Sequence, residues 1–263
     1  MADPSGPLAG RIALITGAGS GLGRATALRL AGAGARVVLV GRRAAALDEV
    51  VAEIKEAGGL AWARACDLSE AGAAAALVSA IRGDIGPVDI LVNNAGAAPA
   101  IKNLRWMPDD QWHATLAVNL TAVYVLVQAV LPEMLDRGDG TIITVSSLAA
   151  LRPNLLGGAP YGAAKAAVGN LMGYLRATYR NQGLRATTIL PGEMNTPILD
   201  TRAPPPSAEE RARMLDPDDV AQIILLCCTL PARALIEEIP VAPTYQRDQT
   251  PDIEISRNFG RPD

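Results

Sequence analysis

Aromatic side chains are scarce: phenylalanine, tyrosine and tryptophan together make up only 3% of the 263 residues. So few flat rings leave little material for the stacking surface that grips single-stranded nucleic acid. Charge of one sign is also missing. The net charge of -3 is spread along the chain, without the basic stripe that a nucleic-acid partner needs or the acidic tail that suits a basic one. Three cysteines, Cys66, Cys227 and Cys228, are too few and too badly spaced for a disulfide framework, and the adjacent pair sits in an apolar run that reads as core. With a single histidine, His113, a His/Cys metal site is excluded and no metal is expected. His113 itself reads as a surface or packing residue. The opening MADPSGPLAG has an acid and two prolines where a signal peptide has a basic and then an apolar stretch. The most apolar long segment, residues 116–131, is broken by Asn119, Thr121 and Gln128, so it reads as a buried helix and not a membrane span. A soluble, cytoplasmic protein with no membrane partner is expected.

What the chain does have is alanine, glycine and a 49% hydrophobic content, ample for one large core. Short β-branched runs at 11–16, 36–40, 60–65, 88–93, 141–146, 184–190 and 236–241 alternate with longer alanine-rich stretches, among them 22–33, 44–57, 110–136 and 159–181. Near-continuous apolar strands alternating with helices predict an α/β fold, a doubly wound parallel sheet of about seven strands covered on both faces. The expected organisation is one catalytic domain over 1–263, with tails at 1–8 and 246–263. Residues 193–215, which include three successive prolines, Pro204, Pro205 and Pro206, suit a substrate lid.

Directly after the first strand comes Thr16-Gly17-Ala18-Gly19-Ser20-Gly21-Leu22-Gly23, opening a helix. Glycines permit a tight turn there and let backbone N–H groups approach a pyrophosphate at the helix N-terminus. On its own such a string is equally an ordinary turn before a capped helix; the strand before it and the helix after it favour a dinucleotide site.

Further along, Tyr161 and Lys165 form a YxxxK pair in a chain poor in both residues. The i,i+4 spacing puts both on one helical face. An ammonium near a phenol favours the phenolate, which brings the reference value of about 10 towards neutrality and equips Tyr161 to exchange a proton. Dehydrogenases that prefer NAD(H) place an acid at the end of the second strand to hold the ribose. Here that position is Gly41, followed by Arg42 and Arg43. The planar fork of Arg42 suits a 2′-phosphate, so NADP(H) is favoured over NAD(H).

The TGxxxGxG spacing resembles the short-chain dehydrogenase/reductase family, and the resemblance continues in order over roughly residues 8 to 245. Asp67-Leu68 follows the third strand, Asn93-Asn94-Ala95-Gly96 closes the fourth, Ser146-Ser147 the fifth, and Pro191-Gly192 with Thr196 the sixth. The resemblance implies cofactor contacts from Gly17, Ser20, Gly21, Leu22, Gly23, Arg42, Asp67, Leu68, Asn94, Ala95, Gly96, Tyr161, Lys165, Pro191, Gly192, Met194 and Thr196. It implies a catalytic set of Asn119, Ser147, Tyr161 and Lys165, in which Ser147 polarises the substrate oxygen and Asn119 holds a water joining the lysine to a proton relay. One departure stands out: the Ser147–Tyr161 interval is one residue longer than is common in the family. An insertion in the loop 151–160 accounts for it, with Ser146 as the alternative serine.

The resulting expectation is an oxidoreductase moving hydride between NADP(H) and a small-molecule carbonyl or secondary alcohol. The alternatives are an NAD-dependent alcohol or hydroxy-acid dehydrogenase, or a lyase or epimerase of the same fold; a cofactor-sensing regulator is disfavoured by the intact catalytic set. The ending at 236–244 lacks the family's common glycine-rich close and is similar to a subgroup of hydroxy-acid and serine dehydrogenases. Only Arg152 and Arg202 offer themselves as carboxylate-binding arginines. Leu148, Leu151, Leu155, Leu156, Met194 and Ile198 predict a mainly apolar substrate lining. Small residues on the helix 159–181 (Ala163, Ala164, Ala167, Gly169 and Gly173) imply, with the family's habit, a homodimer or homotetramer built on that helix and 110–136.

Overall fold

The computed structural model describes residues 5–201 and 205–261. Seven strands form one sheet: β1 Ile12–Thr16, β2 Arg36–Gly41, β3 Leu60–Ala65, β4 Ile90–Asn93, β5 Gly140–Val145, β6 Leu184–Pro191 and β7 Glu238–Val241. Their order is β3-β2-β1-β4-β5-β6-β7, and each neighbouring pair is parallel. β1, β4 and β5 are buried along their whole length, which explains why they read as unbroken apolar runs rather than alternating ones. The strand order reverses between β1 and β4, so a crevice opens at their carboxyl ends.

The helices are α1 Gly21–Gly32, α2 Ala44–Glu56, α3 Ala73–Asp84, α4 Asp109–Leu116, α5 Ala122–Asp136, α6 Ala159–Tyr179, the short α7 Ala208–Arg211, α8 Pro217–Thr229 and α9 Thr250–Asn258. They cover both faces of the sheet. On one face α1, α2 and α8 pack Leu30, Leu47, Val50 and Ile224 against Ile15, Leu39 and Ile189. On the other, α3, α5 and α6 pack Ile81, Leu126, Val130 and Met172 against Leu14, Leu91 and Ile142. Cys227 and Cys228 belong to the first of these cores, as their apolar context predicts.

A five-residue π-helical turn, Ala117–Thr121, joins α4 to α5. The combined span Asp109–Asp136 is long and apolar enough to cross a membrane by composition, but here its inner face lies along the sheet. Two expected strands are shorter than their apolar runs. β4 begins at Ile90, one residue after Asp89, whose backbone still bonds Ile12 and Thr141 while its carboxylate accepts the Ile12 N–H at 2.8 Å. β7 begins at Glu238, an edge strand pairing with β6 through four residues. The segment expected as a tail from residue 246 folds back and forms α9.

Candidate active site

The glycine turn after β1 is shaped by contacts that a side chain would destroy. A Cβ on Gly23 would lie 2.2 Å from the Gly17 carbonyl oxygen, far inside van der Waals contact. Gly17 has φ +67°, and a Cβ there would sit 2.9 Å from Asn94 Nδ2. Asn94 in turn fastens β4 to the turn: its Nδ2 donates to the Thr16 carbonyl at 2.9 Å, and the N–H groups of Asn94 and Ala95 both donate to Thr16 Oγ1. Ser20 precedes α1 without a side-chain cap bond, so the first N–H groups of the helix keep their capacity for an anion. This donor set fits a dinucleotide pyrophosphate.

A cavity of about 930 Å³ lies at the carboxyl ends of the strands. All but two of the expected site residues line it, from Gly17, Ser20, Gly21 and Leu22 through Arg42, Asp67 and Leu68 to Asn94, Ala95 and Gly96. On the other side of the switch point stand Ser147, Tyr161, Lys165, Pro191, Gly192, Met194 and Thr196. The two exceptions, Gly23 and Asn119, stand behind the wall.

Asp67 is fixed by Ser69, whose hydroxyl and N–H donate to Asp67 Oδ1 at 2.6 and 2.9 Å. Those two bonds, and the nearby charge of Arg42, hold the carboxyl below the usual carboxylate range against the opposing effect of burial. Arg42 itself is exposed on the cavity rim.

The residues expected to act on substrate meet around α6 and β5. Ser146 is buried and its hydroxyl donates to the Lys165 carbonyl at 2.7 Å, so this serine is spent on holding α6 to the strand end. Ser147, one residue on, has a hydroxyl that accepts the Ala149 N–H at 3.1 Å, and it begins the turn at Leu148–Ala150. Lys165 is buried to 4% exposure, donates to the Val145 carbonyl at 2.8 Å, and has Nζ 5.5 Å from the Tyr161 ring centroid. Burial pushes its pKa down to about 8, so the ammonium survives at neutral pH but at a cost.

Asn119 is fully buried in the π-helical turn, a distortion frequent at functional sites. Its Nδ2 donates to the carbonyls of Ala97 and Thr115 at 2.7 and 2.8 Å, whereas its Oδ1 has no partner. A Cβ on Gly96 would meet Asn119 Oδ1 at 2.8 Å and Lys165 Nζ at 3.4 Å. An orphaned acceptor and a buried ammonium therefore face the same small space beside Gly96, a polar niche suited to a bridging water.

The cavity lining is mainly apolar, as expected from sequence, with polar groups set among the apolar ones. Leu148, Leu156, Met194 and Ile198 line the cavity, but Leu151 and Leu155 do not, and Lys102, Gln111, Asn154, Glu193, Tyr245, Arg247 and Gln249 do. Apart from Gln111 on α4, these polar groups come from loops, and none of them belongs to a motif. Arg152 lines the cavity from an exposed position, and Arg202 lies outside the described residues. His113 is exposed on α4 and takes no part. No cluster of His, Cys, Asp and Glu able to hold a metal occurs among the described residues.

The family profile described as short chain dehydrogenase matches residues 11–206. The chain is 36% identical over 234 residues to a 2-keto-3-deoxy-L-fuconate dehydrogenase of Xanthomonas campestris, covering 84% of this chain and 75% of that one. Among solved structures it is similar to a metagenomic short-chain oxidoreductase in complex with NADP, with TM-score 0.79 and 36% identity over 91% of this chain and 100% of the other. It is also similar to the 3-ketoacyl-(acyl-carrier-protein) reductase of Brucella melitensis complexed with NADH, with TM-score 0.79 and 32% identity over 89% and 98% of the two chains.

Proposed function

The chain belongs to the short chain dehydrogenase family, and we propose that within it the protein moves hydride between NADP(H) and a small carbonyl or secondary-alcohol substrate, with Tyr161 exchanging the proton. The observation that carries this reading is the convergence of Ser147, Tyr161 and the buried Lys165 on the cavity that the glycine turn also lines. When bound, the nicotinamide supplies or accepts the hydride. The chain's own residues do the rest. Ser147 donates a hydrogen bond to the substrate oxygen, and Tyr161 gives that oxygen its proton or takes it away. The Lys165 ammonium stabilises negative charge on the phenolic oxygen, and Asn119 Oδ1 anchors a water through which the lysine reaches a proton relay.

Gly41 in place of an acid, with Arg42 on the rim, supports a preference for NADP(H) over NAD(H), and Arg43 shares that role. Residues 193–215, of which 202–204 lie outside the described residues, act as the substrate lid of a single catalytic domain. Free cysteines suit action in the reducing cytoplasm, and a homodimer or homotetramer is the proposed assembly. The test is NADPH absorbance during incubation with ketones, aldehydes, keto-sugars and keto acids. Consumption that needs the carbonyl compound supports the reading. Product formed from such compounds with no change in the cofactor would instead make the protein a lyase or epimerase.

A further inference from the structure

Beyond β7 the chain does not leave the molecule. Residues 242–249 run back along the cavity wall, with Ala242, Pro243, Tyr245, Arg247 and Gln249 facing it. The Arg247 side chain is only 9% exposed. It grips Glu193 with both arms of its fork, Nε to Oε2 at 3.0 Å and Nη2 to Oε1 at 2.9 Å, bonds Asp252 at the start of α9, and reaches Glu210 of α7 at 3.5 Å. Gln249 adds a bond to Glu193 at 3.1 Å.

Glu193 and Glu210 belong to a loop that is stapled at its base. Met194 and Leu215 form a parallel bridge, Leu215 N–H donates to the Glu193 carbonyl, and Asn195 N–H donates to the Leu215 carbonyl. Residues of that loop at 193–199 and 210–214 form one wall of the cavity. A second part of the wall is the stretch from Ala97 to Lys102, and the far end of the C-terminal segment docks beside it. Asn103 Nδ2 donates to the Arg257 carbonyl at 2.7 Å, and Gly260, at φ +84°, packs so closely that a Cβ would lie 2.6 Å from Ile101 Cδ1. The segment thus bridges the two parts of the wall.

We propose that residues 242–261 form a strap across the substrate cavity, and that Arg247 is the latch tying it to the 193–215 loop, so that this closure limits the size of the carbonyl compound admitted. The proposal rests on the carbonyl–alcohol reading above. Arg247 acts through Glu193 and the strap; it is a positioning residue, and the latch holds because a fork-to-carboxylate pair with little solvent access resists opening.

The test compares the wild type with Arg247→Ala, and with Gly260→Val at the other end of the strap in case the first variant fails to fold. Two probes are reduced with NADPH: cyclohexane-1,2-dione, a single ring, and 9,10-phenanthrenequinone, three fused rings. The expected result is a quinone-to-dione ratio of kcat/KM raised roughly tenfold in each variant, with the NADPH Kd held within about twofold. A merely structural role would lower both substrates together, and an unchanged ratio overturns the proposal. If the wild type reduces neither probe, the carbonyl–alcohol reading takes the loss, and the strap is decided by hydrogen exchange on the NADPH complex. Arg247→Ala must then speed exchange in 193–215 and 242–261 together by roughly tenfold or more; unaltered exchange in either segment overturns it.

Discussion

At the scale of single residues, Tyr161 is the most exacting test of the chemistry. Tyr161→Phe keeps the ring beside Lys165 and removes the hydroxyl. General acid–base catalysis contributes roughly 10²–10⁴-fold, so turnover is expected to fall by about that factor while NADPH still binds; near-normal turnover in steady-state assays would take Tyr161 out of the mechanism. Lys165 supplies a prediction on stability. Its pKa is lowered from 10.5 to about 8 by burial. Below pH 8 both folded and unfolded chains hold the proton, so the penalty for burying the charge is fully present there. Between pH 8 and 10.5 the folded chain releases the proton first, and stability rises with pH. The penalty is up to roughly 3 kcal/mol, less the hydrogen bond to Val145 that the ammonium makes. Lys165→Met is therefore expected to be inactive yet more stable at pH 7, with the gain fading by pH 10.5. Denaturant unfolding at the two pH values checks this, and a variant less stable at pH 7 contradicts it. For the cofactor, Arg42→Ala is expected to weaken NADPH by roughly ten- to hundredfold, the worth of one charge-assisted bond of about 1.5–3 kcal/mol, and to leave NADH little changed. Because Arg43 is adjacent, the double variant is the stricter measurement. Equal wild-type affinities for NADH and NADPH in fluorescence titration would reduce both arginines to surface residues.

At the scale of elements, the parts legible in the sequence were those written in local terms. The glycine turn could be read because its chemistry is backbone chemistry: Gly17 and Gly23 are glycines for contacts lying within a few residues or in the adjoining Asn94 loop. Gly23→Ala pushes a methyl group against the Gly17 carbonyl, an overpacking worth about 1–3 kcal/mol. NADPH binding should weaken by roughly ten- to hundredfold while circular dichroism shows the fold retained; unaltered binding would mean that the turn can reshape at no cost. For β1, β4 and β5, strand existence was legible for the same reason, since full burial leaves an unbroken apolar run. Strand ends were not: at the start of β4 the Asp89 carboxylate accepts the Ile12 N–H, a side-chain bond between residues 77 apart. The π-helical turn at Asn119 and the α9 strap were also hidden. Arg247 gains meaning only beside Glu193 and Asp252, and the first of those is 54 positions away. The polar part of the cavity lining was hidden similarly: Lys102 and Gln249 lie on unpatterned loops and Gln111 on α4, and only tertiary contact carries them to the cavity.

At the scale of the whole molecule, the outer faces of α4–α5 and α6 pose a question of burial. In the apolar window of Asp109–Asp136 only 39% is buried within the chain, and Tyr124 remains 48% exposed. On α6 the picture is the same. Ala164 turns inward and is fully buried, but Ala166, Asn170, Tyr174 and Ala177 face outward, and Gly169 and Gly173 help line a shallow depression of about 520 Å³ beside them. Leu151 and Tyr174, at 56% and 57% exposure, flank it. Small residues along a helix let another helix approach closely, and a two-fold axis would set this surface against its own copy. A second subunit would also press on α6 behind Tyr161 and Lys165, so assembly and site rigidity are coupled in this arrangement. The expected state at micromolar concentration is a dimer or tetramer by light scattering. Ala166→Glu places a buried, unpaired charge at the centre of each such interface, twice per axis, without altering the α6 face that packs on the sheet. That variant is expected to shift the mass to the monomer with the far-ultraviolet circular dichroism unchanged. A wild type that runs as a monomer, or an assembly indifferent to the glutamate, would show that these helices do not form the contact.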